Sequence, residues 1–260
     1  MDEQTGKSII YRLRSSGCVF AEEEARLLIS ESRTLEELKK MVEIRAEGLP
    51  LEHVIGYTEF CGLRIEIDPE VFIPRKRTEF LVRQAKSLTC IGDIVIDQCC
   101  GSGAVGAALA GVLGGAVLYS VDIDPAAVRC AARNTAAFNG RVFQGDLYKA
   151  LPHSLKGRVN IVVANTPYVP ADAIKLLPRE ARLYEPRLAL DGGKDGLDLQ
   201  RRVAKEAPLW LAPGGHLLVE TSERQSSETI EIFSSNGLIT KIARDNELDA
   251  TVVIGTKPNY

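Results

Sequence analysis

The chain has 260 residues, of which 45% are hydrophobic and 26% charged, and this composition indicates a folded globular protein and excludes a disordered one. A formal net charge of −3 does not suit a protein that neutralises many phosphates, so we expect no direct nucleic-acid binding. The six cysteines form no C-x-x-C pair and no Cys/His metal spacing, which predicts no metal site and a reducing, cytoplasmic location.

The N-terminal residues Met1 to Gln4 are acidic and lack an apolar core, which predicts a chain without a secretory signal. Between Asp97 and Asp122 there is no charged residue, and that stretch is long enough to raise the question of a membrane span. Six glycines interrupt it, including one adjacent pair, so we interpret it as a buried helix followed by a buried strand. The sequence therefore predicts no association with a membrane.

Residues 1–55 carry the apolar spacing of short helices. Leu35, Leu38 and Val42 recur at helical intervals, and Thr34 just before them can cap a helix. Because short helices bury little surface alone, we predict that residues 1–55 form a small helical domain docked on a larger one.

The pattern changes at Gly56. Residues Phe60 to Ile67 alternate between polar and apolar, Asp68-Pro69 can turn, and Val71 to Pro74 is again mostly apolar. This order predicts a short hairpin, in which the second apolar run pairs with the first, within a connector of residues 56–77.

Residues 78–260 alternate between strand and helix patterns, with helices expected for instance at Ala104 to Leu113. The predicted strands are Ile94–Ile96, Val117–Val121, Val142–Phe143, Ile161–Val163, His216–Val219, Ile239–Ile242 and Thr251–Ile254. The first of these are short and apolar on both faces, as in parallel sheets covered by helices. We therefore predict an α/β domain with a doubly wound, Rossmann-like sheet of seven strands.

A glycine-rich turn follows the first strand of this domain. Glycine lets the backbone approach a ligand closely, and in an open α/β sheet this turn lies where ligands bind. The spacing of Gly101, Gly103 and Gly106 formally matches the dinucleotide fingerprint, so an NAD-linked oxidoreductase is one hypothesis.

Acidic residues at three successive strand ends favour a different cofactor. Asp97 precedes the glycine turn, where a pyrophosphate would be repelled but the cationic amino-acid end of S-adenosylmethionine would be attracted. Asp122 can accept both ribose hydroxyls, and Asp146 lies near the expected adenine position. These acids fit S-adenosylmethionine better than a dinucleotide.

The strongest motif follows the fourth strand and reads Asn165-Thr166-Pro167-Tyr168. An amide nitrogen is a poor nucleophile, so an enzyme must orient its lone pair toward the methyl donor and exclude water. The Asn165 side-chain oxygen and the Thr166 carbonyl can each accept one N–H. Pro167 stiffens the turn, and Tyr168 offers a flat face for a planar amide. The motif predicts a clamp for a planar nitrogen.

At this point the chain resembles the HemK/PrmC family of protein-(glutamine-N5) methyltransferases, which modify peptide release factors. The resemblance runs almost end to end. Its motifs are Gly56 to Gly62, Ile73-Pro74-Arg75 with Thr78-Glu79, Asp97 to Gly103, Val121-Asp122, Asn165 to Tyr168, Glu185 to Gly196, Pro213-Gly214-Gly215 and Glu220.

The resemblance implies a class I S-adenosylmethionine-dependent methyltransferase whose helical domain recognises a protein substrate. Asn165, Pro167 and Tyr168 would be catalytic, and with Thr166 they would hold the glutamine. Pro74 would help to close the site from the connector. The residues indicated for the cofactor are Arg75, Glu79, Asp97, Cys99, Gly101, Gly103, Asp122, Ile123, Asp146, Leu147 and Asn165.

Several positions depart from the family pattern. Thr166 replaces a proline, Cys99 replaces a glycine, Arg75-Lys76-Arg77 is more basic than the usual connector, and Asp249-Ala250 replaces a glycine-containing turn. They indicate a divergent subgroup, and they leave three alternatives to the release-factor enzyme. One is a methyltransferase of the same fold that acts on a small molecule or natural-product intermediate. The others are the NAD-linked oxidoreductase and an amino-DNA methyltransferase, which would need a basic groove that the sequence does not show.

Overall fold

The computed structural model describes residues 3–259, so part of the acidic N-terminus on which the expectation of no secretory signal rests lies outside the described residues. Its helices are α1 Glu3–Ser15, α2 Ala21–Glu31, α3 Leu35–Ala46, α4 Leu51–Ile55, α5 Glu79–Lys86, α6 Ala104–Leu113, α7 Pro125–Thr135, α8 Arg179–Tyr184, α9 Arg187–Leu190, α10 Asp198–Trp210 and α11 Ser226–Ser235. Its strands are β1 Tyr57–Phe60, β2 Leu63–Glu66, β3 Ile94–Gln98, β4 Val117–Asp122, β5 Arg141–Gln144, β6 Val159–Ala164, β7 Leu211–Thr221, β8 Ile239–Asp245 and β9 Ala250–Thr256.

Strands β3 to β9 form one sheet in the order β5-β4-β3-β6-β7-β9-β8. The first five strands in this order, β5 to β7, run parallel to one another. Strand β9 lies between β7 and β8 and pairs antiparallel with both. The seven predicted strands are all confirmed, and so is the class I fold. The chain winds outward from β3 in one direction and returns to β6 in the other, so a crevice opens where these two strands end.

Apolar side chains cover both faces of this sheet. One face packs Val95, Ile161 and Leu218 against α5 and α6, and the other packs Ile96 and Val162 beneath α10. On the second face Tyr148 and Trp210 stack with ring centroids 5.3 Å apart. Burial on both faces explains the continuous apolar runs of β3, β4 and β6.

Helices α1 to α3 enclose a separate apolar cluster that includes Leu13, Leu28 and Leu38. Thr34 caps α3 as its sequence indicates, because its side chain accepts the Glu37 N–H at 3.1 Å. The cluster lies within the predicted domain of residues 1–55, and the division at 55 and 77 stays a prediction.

The hairpin occupies a different place from the predicted one. Strand β1 pairs antiparallel with β2, and Phe60 lies opposite Leu63. The two turn residues, Cys61 and Gly62, have φ of 50° and 75°, the left-handed pair that a tight two-residue hairpin turn needs. The predicted pairing of 60–67 with 71–74 is therefore wrong, and residues 71–74 form no strand.

No helix among residues 3–259 combines the length and the apolar character that crossing a bilayer requires. The uncharged stretch after Asp97 is the end of β3, its loop, α6 and most of β4, as its glycines indicate.

Candidate active site

The loop between β3 and α6 forms one wall of the crevice. The Gly101 N–H donates to Asp122 Oδ2 at 2.8 Å, so the loop is fixed to the end of β4. Gly103 has a φ of 78°, and a Cβ there would come within 2.9 Å of the Ala131 backbone. Gly103 therefore serves the packing of the loop against α7, and it lies beneath the loop and away from the crevice surface.

Asp122 presents its carboxylate to the crevice. Its other oxygen, Oδ1, accepts the Asp124 N–H at 3.0 Å. Since an ionised carboxylate has about four acceptor positions, these two backbone bonds leave capacity for two further hydroxyl donors. Burial raises the pKa of this carboxyl above its ordinary value.

Asp97 lies below the glycine loop and does not line the crevice. It is 2% exposed, and its Oδ2 accepts the Gly106 N–H in the first turn of α6 at 2.9 Å. Burial, opposed by that hydrogen bond, raises its pKa to about 7. Asp97 therefore acts on the helix start directly and can act on a bound cation only through its charge.

We expect Asp97→Asn to stabilise the protein at pH 8 relative to the wild type. An unfolded Asp titrates near pH 3.9, and the folded one near 7. Protonated Asp97 therefore makes its full contribution to the free energy of unfolding below pH ~4, and this contribution is lost as the pH rises through 7. Asparagine still accepts the Gly106 N–H and carries no charge. In urea unfolding, the free energy of unfolding of the variant relative to the wild type should be about 2–4 kcal/mol higher at pH 8 than at pH 4. An equal difference between the two proteins at both pH values would contradict this account.

Two non-glycine residues in the crevice wall have left-handed backbones, Cys99 with φ 55° and Leu147 with φ 51°. This conformation is uncommon for side chains other than Asn and Asp, and such strain gathers at ligand sites. Cys99 stands where glycine would be relaxed, so the loop keeps its shape at a conformational cost.

The end of β5 supplies the far side of the crevice. Asp146 pairs with Lys149 at 2.9 Å and with Arg202 of α10 at 2.5 Å, and these contacts lower the pKa of its carboxyl. Ile123 lies on the same wall with about half of its side chain exposed. Together with Leu147 it provides an apolar surface beside the acid.

The Asn165 to Tyr168 motif leaves the carboxyl end of β6, next to the end of β3 from which the glycine loop leaves, and both segments line the crevice. The Tyr168 hydroxyl accepts from Arg77 Nη2 at 2.6 Å and lies 3.4 Å from Glu220 Oε1, to which it donates. Burial raises the pKa of Tyr168 to about 12, so the phenol stays protonated. Thr166 is buried, and its hydroxyl has no hydrogen-bond partner among residues 3–259.

The backbone of this motif is fixed from behind. Gln225 Nε2 donates to the Tyr168 carbonyl at 3.0 Å and to the Asp195 carbonyl at 2.9 Å. The Gly192 N–H donates to the Val169 carbonyl at 2.9 Å, and a Cβ on Gly192 would come within 2.7 Å of the Pro167 carbonyl. The glycine segment after α9 is therefore needed for close backbone contact with the motif.

These walls enclose a cavity of about 880 Å³. The predicted site residues that line it are Arg75, Cys99, Gly101, Asp122, Ile123, Asp146, Leu147, Asn165, Thr166, Pro167 and Tyr168. Glu79, Asp97 and Gly103 lie outside this lining, as does Pro74.

Glu79 and Arg75 contact protein groups within residues 3–259. Glu79 Oε1 accepts the Cys61 N–H at 2.9 Å and pairs with Lys76 at 2.8 Å, so it ties the hairpin turn to the start of α5. Arg75 pairs with the buried Glu185 and lies over the Phe72 ring. Their predicted contact with the cofactor stays a prediction.

Sequence reasoning assigned no role to several residues of this site, which are Arg77, Thr78, Gln98, Arg202, Glu220 and Gln225. Gln98 is the clearest of them, because it is fully buried at the end of β3, lines the cavity and has both amide atoms unpaired among the described residues. A second polar residue, next to Asp97 at the end of an apolar run, was the available signal. The partners of Glu220 and Gln225 are distant in sequence and gave no local signal.

The cavity suits S-adenosylmethionine in size and chemistry. Sites for ligands of that size measure about 300–1,000 Å³ and combine apolar walls with a few polar groups. The Asp122 carboxylate can accept further hydrogen bonds, and the unpaired Gln98 amide can form hydrogen bonds with a polar ligand. Within residues 3–259 no cluster of His, Cys, Asp and Glu is arranged to hold a metal ion.

Comparison with known proteins places this geometry in a family. The profile of the Methyltransferase small domain matches residues 65–178, which contain the glycine loop and the Asn165 motif. A solved methyltransferase from Pyrococcus furiosus shares the fold, with a TM-score of 0.58 at 18% identity, over 76% of this chain and 90% of that one.

Curated relatives give the finer assignment. The release factor glutamine methyltransferase of Geobacter sulfurreducens is 39% identical over 76% of this chain and 69% of its own length. The 4-amino-L-phenylalanine/4-methylamino-L-phenylalanine methyltransferase of Streptomyces pristinaespiralis is 34% identical over 72% of this chain and 66% of its own length. The chain belongs to the family of release factor glutamine methyltransferases and is an S-adenosylmethionine-dependent methyltransferase.

Proposed function

We propose that this enzyme methylates the side-chain amide nitrogen of a glutamine in a peptide release factor. The observation that carries the proposal is the position of the Asn165 motif. It follows β6, which pairs with β3, and so lies beside the loop that contains Gly101; Asp122 ends β4 on the other side of β3, and all three line one cavity. A methyl donor bound at the loop and at Asp122 would therefore lie next to a planar amide bound at the motif.

The amide is held by acceptors in this proposal. The Asn165 side-chain oxygen accepts one N–H of the glutamine and the Thr166 carbonyl accepts the other, while the Tyr168 ring stacks on the amide plane. The bound S-adenosylmethionine supplies an electrophilic methyl group. Transfer would form the N–C bond and break the S–CH₃ bond, so S-adenosylhomocysteine would leave. The methylated nitrogen would then be cationic and acidic, and its proton would pass to solvent without a dedicated base.

The predicted cofactor residues fall into groups that would contact different parts of S-adenosylmethionine. Asp122 would accept the two ribose hydroxyls, and Ile123 and Leu147 would cover the adenine beside Asp146. The loop at Cys99 would contact the amino-acid end of the cofactor, whose cation the Asp97 charge below favours. Asn165 would touch both cofactor and substrate.

A protein substrate is supported by the outer wall of the cavity. Pro50, just before α4, and Glu52, in its first turn, line the cavity. Phe72 of the connector and Leu177 and Leu188 beyond the motif line it as well. Leu188 is 56% exposed there. A cavity lined by residues of both the helical region and the catalytic region suits an inserted loop that carries a glutamine.

The test is transfer of labelled methyl groups from S-adenosylmethionine to a purified release factor. We expect label in the wild-type factor and none when the acceptor glutamine is replaced by asparagine, because the shorter side chain cannot reach Asn165. Equal labelling of both factors would contradict a glutamine acceptor.

A second candidate is methylation of a small aromatic amine, and the Streptomyces pristinaespiralis relative favours it. The same assay with 4-amino-L-phenylalanine separates the two functions. Labelling of the amine with an untouched release factor would replace the first proposal by the second.

A further inference from the structure

We infer that Arg77 is a positioning residue, which fixes the Tyr168 ring in the plane on which the acceptor amide stacks. The inference rests on the proposed function, because it explains how the flat face of the clamp is held at one angle. Arg77 lies 91 residues before Tyr168 in the chain, and both side chains line the cavity.

A tyrosine ring that is held only by its own backbone can turn. Its two side-chain torsions set the direction and the plane of the ring, and the second torsion has broad energy wells. A substrate amide that stacks on the ring takes its plane from the ring, so a turned ring would move the nitrogen lone pair away from the methyl donor. An error of about 1 Å in such a position can cost about 100-fold in rate. The clamp therefore needs a fixed point at the far end of the ring.

The Tyr168 hydroxyl is that fixed point. It accepts a hydrogen bond from Arg77 Nη2 at 2.6 Å and donates its own proton to Glu220 Oε1 over 3.4 Å. The contact with Arg77 is much the shorter of the two, and a guanidinium donor is always charged. Because charge-assisted hydrogen bonds are the strong ones, Arg77 is the main anchor of the ring.

The guanidinium of Arg77 is itself held in place. Its Nε lies 3.4 Å from Glu220 Oε1, and its central carbon lies 5.8 Å from the centroid of the Tyr168 ring. Arg77 belongs to a single 3₁₀ turn, Lys76–Thr78, which leads directly into α5. Since α5 packs against the sheet, Arg77 extends to the ring from a rigid element.

Arg77 could instead serve Glu220 alone. That side chain is 2% exposed, and a buried carboxylate without a partner is unfavourable, so a nearby cation compensates its charge. The two roles predict different couplings. If Arg77 acts through the ring, removal of the Tyr168 hydroxyl abolishes its effect on transfer. If it acts only on the charge of Glu220, replacement of that acid by glutamine abolishes the effect.

The experiment measures methyl transfer by Tyr168→Phe, Arg77→Met and the double variant in the full chain, with the acceptor that the wild type methylates. Tyr168→Phe keeps the ring and removes the fixed point, so kcat should fall about 10- to 100-fold. Arg77→Met should lower kcat by the same factor, and the double variant should fall no further. KM for the acceptor should change less than kcat, because the face of the ring remains available. The cofactor Kd should stay at the wild-type value.

Two further variants separate the roles. Arg77→Met should lower kcat in the Glu220→Gln background as well, because glutamine still accepts the phenol proton. Arg83→Met is the matched control, since Arg83 lies over the Phe80 ring at 5.3 Å and outside the cavity lining, so kcat should be unchanged. A fully active Tyr168→Phe, losses that multiply in the double variant, or a loss that disappears with Glu220→Gln would each overturn the inference. Tyr168→Phe keeps the contact between Arg77 and Glu220, so it decides the matter even where Arg77→Met is unstable.

A second readout needs no acceptor. In protein that contains ¹³C-labelled tyrosine, the Cζ signal of Tyr168, assigned by its loss in Tyr168→Phe, reports the hydrogen bonding of the phenol. This signal should shift in Arg77→Met and stay in place in Arg83→Met. An unshifted signal in Arg77→Met would contradict the anchor. If the signal shifts but the wild type labels no acceptor, the anchor stands and the proposed function fails.

Discussion

Asn165→Ala is expected to reduce methyl transfer at least about 100-fold in kcat, because removal of one preorganised hydrogen-bonding group from an active site has that effect. The substitution removes the proposed acceptor for the substrate nitrogen and leaves Asp122 and Leu147 in place. The cofactor Kd, measured by calorimetry, should therefore rise less than about tenfold, or 1.4 kcal/mol.

The matched control for this result is Asn160→Ala. Asn160 lies near the opposite end of β6, where its side chain accepts the Ile94 N–H at 3.0 Å. Its loss should lower the free energy of unfolding by about 1–3 kcal/mol and leave kcat unchanged. A larger loss of cofactor affinity than of kcat in Asn165→Ala would instead assign Asn165 to the cofactor.

Asp122→Ala is expected to raise the cofactor Kd at least about 100-fold. Two hydrogen bonds from ribose hydroxyls to a charged group contribute about 1.5–3 kcal/mol each, and the substitution removes both. It also frees the Gly101 N–H from its acceptor and so loosens the loop that we propose contacts the other end of the cofactor.

Asp124→Ala tests whether that loss is specific. Asp124 also lines the cavity, but its carboxylate accepts the Ala126 N–H and caps α7. Its removal should lower the free energy of unfolding by about 1 kcal/mol and keep the cofactor Kd near the wild-type value. Equal cofactor affinity in Asp122→Ala and wild type would end the ribose assignment.

The sheet could be predicted because its signals are local. Each strand contains a short apolar run, and α6 begins at Ala104 and ends at Leu113 where its glycines indicate. The glycine loop and the Asn165 motif could be placed on one cavity for the same reason, since parallel strands present their carboxyl ends at one edge. The parallel topology alone therefore predicts that Gly101 and Asn165 lie near each other.

The position of the hairpin was predicted wrongly because the sequence contains two candidate turns. Asp68-Pro69 is a turn sequence, whereas the turn that forms is Cys61-Gly62. A cysteine in the left-handed region is uncommon, so local preference favoured the wrong pair. Tertiary contact decided the outcome, since Glu79 accepts the Cys61 N–H from the start of α5.

The supports of the clamp could not be predicted from sequence, because their partners lie far apart in the chain. Glu220 meets Tyr168 from a strand that begins more than forty residues later. Arg45 is buried in α3, where it pairs with Glu24 at 2.6 Å and reaches Glu180 of α8 at 2.8 Å. That contact joins the helical region to the segment that follows the motif, and periodicity contains no information about it.

The most direct test of the account is fragment mass spectrometry of a release factor incubated with this enzyme and S-adenosylmethionine. The account predicts one added methyl group on the side-chain nitrogen of a single glutamine, and its absence with Asn165→Ala. A methyl group on any other atom, or an unmodified release factor under conditions in which the enzyme binds its cofactor, would contradict it.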